Sequence, residues 1–310
     1  MVPRIVRVSV VALQLGAPHV VMVGCQSDPA QADPSPPALP AAPRRFAFSS
    51  NHGGDFDVFV ANVDGSGVRN VSASKGDDLF ATWSPDGKWI AYASNRSGGF
   101  DLYMCNADGG ETRRLDTGLP AASLPSFSPD GTAIAFEAAP AGAPVGIFRI
   151  AVSGGAPQRL TDPARAAAGP AWGRDGRIYF VDLAANAAIA WVAADGSSQG
   201  VAVPSANALG RPAISYDANT LAFARKVGAD TRVFMHDVSP SGDGTETMLM
   251  GASDSEPSFS PRGDRLLETT TRFGLPAIVI VGARDGGHVV RVTNDGAIDG
   301  AAVFAPNPNP

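Results

Sequence analysis

One turn sequence recurs along this chain at nearly constant spacing, and it restricts the fold more than any other feature. Trp83-Ser84-Pro85-Asp86-Gly87-Lys88-Trp89-Ile90-Ala91-Tyr92 reads as a short strand, a tight turn and a second strand of alternating character. Pro85 presets φ at the second turn position, Asp86 suits the third, and Gly87 supplies the positive φ that closes the hairpin. Phe127-Ser128-Pro129-Asp130-Gly131 repeats the pattern, as do Trp172-Gly173-Arg174-Asp175-Gly176 and Phe259-Ser260-Pro261-Arg262-Gly263. Ile214-Ser215-Tyr216-Asp217-Ala218 is a degraded copy, and Phe304-Ala305-Pro306-Asn307 is a partial one. The anchors at 83, 127, 172, 214, 259 and 304 are spaced by 44, 45, 42, 45 and 45 residues. A period of about 40–45 residues, with four short strands per unit, is the pattern of a β-propeller blade.

The first repeat starts out of phase. Arg45-Phe46-Ala47-Phe48-Ser49-Ser50-Asn51 matches Trp89-Ile90-Ala91-Tyr92-Ala93-Ser94-Asn95, the second strand of a unit, so the first blade lacks its innermost strand. Ala302-Val303-Phe304-Ala305-Pro306-Asn307 matches the missing piece. The fold expected is therefore all-β: a six-bladed β-propeller in which the C-terminal strand closes the first blade and removes an exposed edge.

The 310 residues divide into three expected segments. Residues 1–24 have the layout of a secretory signal, with Arg4 and Arg7 ahead of a mostly apolar run from Val8 to Val23. Met22-Val23-Gly24-Cys25 resembles the lipobox of bacterial lipoproteins. That resemblance implies cleavage before Cys25 and a lipid on its sulfur, and Gln26 after it implies the outer membrane, on its periplasmic or cell-surface side. An ordinary secretory signal with an incidental cysteine is the alternative; Pro18 and the short run speak against a transmembrane helix. Residues 25–44 carry Pro29, Pro34, Pro36, Pro37, Pro40 and Pro43 and read as an extended tether. Residues 45–310 are the propeller. Cys105, the other cysteine, lies within a strand and reads as a small buried hydrophobe. A formal net charge of −6 with scattered basic residues gives no footprint for nucleic acid.

Within a unit, the order Ser-Pro-Asp-Gly, Ser94-Asn95-Arg96, Asp101-Leu102-Tyr103, Asp108-Gly109-Gly110 and Arg113-Arg114-Leu115 resembles the TolB-type propeller repeat. Residues 83–115 match it almost throughout, and the resemblance extends from Arg45 to Asn307, weakest between 172 and 250. The α/β domain that precedes the propeller in TolB has no counterpart here; the Pro-rich stretch stands in its place. The resemblance implies the propeller fold and is specific for the repeat but not for any one function.

Strand alternation sorts the loops onto two faces, with tight Asp-Gly turns on one and longer connections on the other. Binding is expected at the longer-loop face, where loops converge over the channel. Five residues before each anchor lies the expected channel-mouth position, held in order by Asp78, Ala122, Ala167, Leu209, Asp254 and Asp299. Asp254, Asp299 and Asp78 fall on three consecutive blades, with Glu256 and Asp77 beside them. They suggest an acidic crescent for a basic group of a partner or for a cation such as calcium, and equally carboxylates that cap local turns. Asn95, Arg96, His52, Arg272 and Phe273 occupy equivalent rim loops: partner contacts on one reading, and on the other arginines paired with a carboxylate of the next blade. No Gly-x-Ser-x-Gly elbow, zinc-ligand spacing, phosphate loop or paired acid and base appears. The expectation is a non-enzymatic, monomeric binder of an envelope protein or peptide, with no cofactor and with membrane contact only through the lipid. A carbohydrate-active or sugar-binding surface propeller is the alternative.

Overall fold

The structure, a computed structural model, describes residues 45–306 except 185, 205 and 243. The signal, Cys25 and the tether lie outside the described residues. The chain runs through β1 (Arg45–Ser50), β2 (Asp57–Asn62) and β3 (Arg69–Asn70), then β4 (Asp78–Trp83), β5 (Trp89–Ser94), β6 (Asp101–Asn106) and β7 (Thr112–Leu115). It continues with β8 (Ser123–Phe127), β9 (Ala133–Ala138), β10 (Gly146–Ala151) and β11 (Gln158–Arg159), then β12 (Ala167–Trp172), β13 (Arg177–Asp182), β14 (Ala188–Ala193) and β15 (Gln199–Val203). The last two groups are β16 (Leu209–Ile214), β17 (Thr220–Val227), β18 (Asp230–Asp237) and β19 (Glu246–Met248), and β20 (Asp254–Phe259), β21 (Arg265–Thr270), β22 (Ala277–Gly282) and β23 (Val290–Arg291), before β24 (Asp299–Phe304). No helix occurs among the described residues.

These strands form six four-stranded antiparallel sheets. Five are built from consecutive strands, and the sixth is ordered β24-β1-β2-β3. Phe304 pairs directly with Phe46, and Val303 with Ala47. The last strand therefore completes the first blade, as the phase of the repeats requires.

The recurrent turn owes its geometry to its serine. Ser84 Oγ donates to Asp86 Oδ1 at 2.6 Å and accepts from Trp89 N at 2.9 Å, locking the turn to the start of the next strand. Ser128 with Asp130 and Ser215 with Asp217 repeat both bonds. In the degraded copy Ala218 takes the left-handed φ of 58° that glycine takes elsewhere. Ser260, whose motif lacks the aspartate, reaches Asp264 instead at 2.8 Å.

The core lies between blades rather than inside them. Six buried apolar clusters each join neighbouring blades, for example Val58 and Val60 with Tyr92 and Cys105 from the first to the second. A lone blade would expose both faces, so the sheets are stable only as a closed ring. Aromatic residues face each other directly across the second and third strands: Phe48 and Phe59, Tyr92 and Tyr103, Phe136 and Phe148, Phe223 and Phe234, with ring centroids 5.8–6.2 Å apart. Cys105 is fully buried within this packing, and burial pushes its thiol up to about 12.

Candidate functional site

The innermost strands set what each mouth of the channel presents. In four blades the residue at or just before the start of this strand bonds through its amide back to the preceding blade: Asp78 N to Phe56 O at 2.6 Å, Ala122 N to Phe100 O at 3.1 Å, Ala167 N to Val145 O at 3.0 Å and Asp299 N to Pro276 O at 3.0 Å. In the fifth blade this bond is made by Ala208, to Ala187 O at 3.1 Å. The mouth position expected at Leu209 therefore belongs to Ala208, and Leu209 is exposed. The offset has a local cause. Two residues on, every inner strand turns left-handed, at Phe80, Leu124, Gly169, Gly210, Glu256 and Ala301. Three residues then lead to the anchor in five blades, but four in the fifth, where Arg211 is the extra one.

The three aspartates expected as an acidic crescent are not at the surface. Asp78, Asp254 and Asp299 are 0%, 2% and 1% exposed. Arg96 Nη2 lies 3.1 and 3.0 Å from the two oxygens of Asp78, and its Nε donates to Ser94 Oγ at 2.9 Å. Arg272 repeats this with Asp254 and Thr270. Both arginines thus pair within their own blade, not with the next one. A carboxylate buried under a guanidinium cannot receive a partner's cation without losing its own.

The remaining expected contacts are also largely engaged. Asn95 Oδ1 accepts from Asp77 N at 2.8 Å and Asn95 N donates to Asp77 O at 3.2 Å, stapling the rim loop to the incoming strand. Asn51 staples Ile298 in the same way. Glu256 sits away from Asp254: its Oε2 accepts from Thr269 Oγ1 and from Ala301 N, each at 2.7 Å, joining the sixth blade to the first. His52 takes the arginine's place in the first blade but turns outward, with Nδ1 3.2 Å from Asp295 Oδ2. Asp299 is bonded by Ser50 and Thr293, and its Oδ1 has no partner. Burial raises the pKa of Asp299 and Asp254; hydrogen bonds from Ser50 and Thr293, and from Thr270 and Arg272, pull the other way. Phe273 is exposed, with the Arg291 guanidinium 4.8 Å from its ring centre. Among the described residues no group of three or more His, Cys, Asp or Glu is placed to hold a metal.

Two notable residues escape the sequence reading. Glu268 occupies the second-strand position that holds an aromatic ring in the other blades, and it faces Val279. It is buried, its Oε1 has no partner, and burial together with Asp254 pushes its carboxyl up to about 8 against the pull of Arg272. A carboxylate interrupting an aromatic column was the available signal. The other is Arg211, which lines an axial cavity of about 230 Å³ bounded by all six inner strands. Trp83, Trp172, Tyr216, Phe259 and Phe304 form much of its wall. The wall also includes Pro261 and Pro306 of the recurrent turns, so the cavity lies toward the tight-turn face, opposite the face expected to bind.

Six closed four-stranded blades with a borrowed inner strand define a six-bladed β-propeller. The family model described as the TolB beta propeller domain matches residues 29–123, and over that stretch the chain is similar to that family. Among solved structures, TolB from Acinetobacter baumannii superposes with a TM-score of 0.74 at 23% identity, covering 85% of this chain and 67% of that one. Hydrazine synthase from Kuenenia stuttgartiensis gives 0.71 at 13%, covering 85% and 47%. A chain of a nidogen/laminin complex gives 0.67 at 11%, covering 84% and 98%. These likenesses are in fold. No curated protein matches the sequence.

Proposed function

We propose that the chain is a non-enzymatic protein-binding propeller of the bacterial cell envelope. It is carried on a Pro-rich tether from a lipid on Cys25, and a partner docks across the longer-loop face. The observation that carries this reading is an arc of exposed apolar side chains on the loop ends of neighbouring blades: Leu183, Leu209, Phe273, Leu275 and Ile298. Exposed apolar groups on the loops of one face offer contact area to a partner. With the aspartates buried, contact falls to this arc and to the rims of Arg96 and Arg272, so the partner is a protein segment with an apolar face. The axial cavity carries no carboxylate in its wall, which disfavours the acid and base pair a glycosidase needs.

The test is a pull-down from envelope extracts with the wild type, Phe273→Asp/Leu275→Asp, and Val68→Asp as a control near the tight turns. Loss of a specific catch in the first variant alone is expected. Equal catches, or none from the wild type, would remove the reading. Metabolic labelling with palmitate checks the anchor: Cys25→Ser should abolish the label, and an unlabelled wild type would refute lipidation.

A further inference from the structure

The axial cavity combines two features that do not serve closure of the ring. Its wall is mostly flat and apolar, and it holds a single charged side chain, Arg211. That arginine exists only because the fifth inner strand is one residue longer than the others after its left-handed turn. Its one hydrogen bond among the described residues runs across the channel, from Nη1 to Pro125 O at 3.2 Å. A guanidinium has five N–H donors, so most remain available.

No carboxylate compensates it by contact. Glu256 and Glu137 act on Arg211 only through space, while burial depresses its pKa. Both glutamates are committed elsewhere. Glu256 is held by Thr269 and Ala301. Glu137 accepts from Ser123 Oγ at 3.0 Å and from Gly169 N at 2.9 Å. Neither belongs to the cavity wall. Arg211 is partly exposed, and the cavity presents to whatever enters a cation with no anion in contact with it.

We propose that this cavity binds a carboxylate joined to a flat apolar group, with Arg211 holding the carboxylate and the aromatic wall holding the apolar part. A planar guanidinium matches a carboxylate through two parallel hydrogen bonds. The Thr82 and Ser258 hydroxyls in the wall offer further donors. A phosphate dianion fits less well, because one cation flanked at a distance by Glu137 and Glu256 balances a single negative charge. The volume of about 230 Å³ suits a ligand the size of one aromatic side chain with its acid group. Such a group is found on a free aromatic acid or on the last residue of a peptide. The site faces away from the docking arc and stands independently of it.

The probes are phenylacetate, its neutral counterpart phenylacetamide, and acetyl-glycyl-phenylalanine as free acid and as amide. Each is titrated into the full chain by calorimetry and tryptophan fluorescence, since Trp83 and Trp172 border the cavity. One-to-one binding of at least one acid is expected, with its amide weaker by about tenfold or more. Tighter binding of the peptide acid assigns the site to chain ends, and tighter binding of phenylacetate to free acids. Arg211→Gln should lose about tenfold or more at unchanged melting temperature. Should that variant fail to fold, the acid–amide comparison on the wild type decides alone. Equal affinities for acid and amide, unchanged binding in a folded Arg211→Gln, or no binding of either acid at about 10 mM would overturn the proposal.

Discussion

Arg272 reaches back across its own blade to Asp254, with Nε 3.1 Å from Oδ1 and Nη2 3.0 Å from Oδ2. The carboxylate is 2% exposed and the arginine side chain 24%. The pair is a lid over a charge that has little contact with water. Removing the lid strands that charge, so Arg272→Leu should destabilise the ring by about 2 kcal/mol, discounted because the arginine is partly solvated. Asp254→Asn/Arg272→Leu should cost less than the sum of the single changes. Urea denaturation of the four proteins measures both; additive effects would mean the pair is idle.

The first blade has the same carboxylate and hydroxyl, Asp299 and Ser50, but His52 where the second and sixth blades have arginine. His52 N still donates to Ser50 Oγ at 3.3 Å, as Arg96 N does to Ser94 Oγ and Arg272 N to Thr270 Oγ1. The backbone scaffold is present without the guanidinium. His52→Arg should supply the missing donors to Asp299 and raise the melting temperature by roughly 2–3 °C. The gain should vanish in an Asp299→Asn background. A rise that persists there would show that the new arginine acts elsewhere.

Closure predicts a difference between two phenylalanines of similar burial, Phe304 at 9% and Phe127 at 7% exposed. Alanine at either site removes a core ring, at about 3 kcal/mol. Only Phe304 also holds the strand that seals β1, helped by Trp83 Nε1 donating to Val303 O at 3.3 Å. Limited proteolysis of Phe304→Ala should therefore cut near Arg45 faster than it cuts Phe127→Ala. Matching patterns would mean the seal does not depend on this contact.

The architecture was legible because its cause is local and repeated. Turn chemistry at Ser84, Ser128 and Ser215 writes the blade boundary into the sequence, and the phase offset at Arg45 writes the closure. The mouth residues were legible in position but not in depth. Asp78 sits at the start of an inner strand as expected, but its burial depends on Arg96 folding over it from a loop 18 residues further along the chain. Leu209 lies one residue past the mouth because the fifth inner strand carries one extra residue between its left-handed turn and its anchor. Arg211 and Glu268 are departures from a repeat, and their meaning depends on neighbours contributed by other blades.

Glu268 makes stability depend on pH in a direction opposite to that of an ordinary surface carboxylate. Its carboxyl is raised from 4.5 to about 8 by burial and by Asp254, with Arg272 opposing. Between those values the folded chain keeps a proton that the unfolded chain has released, so stability falls as pH rises through this window. Asp254 and Asp299, also raised by burial, contribute slopes of the same sign at lower pH. The wild type should melt at a higher temperature at pH 5 than at pH 8.5. Glu268→Gln keeps the shape without the titration, so its melting curve should lie above the wild type at pH 8.5 and the two should converge near pH 5. Glu268→Phe, which restores the aromatic opposite Val279, should likewise lose the dependence. Parallel pH profiles for wild type and Glu268→Gln would show that the side chain stays ionised in the fold, with a counter-charge in place of its proton.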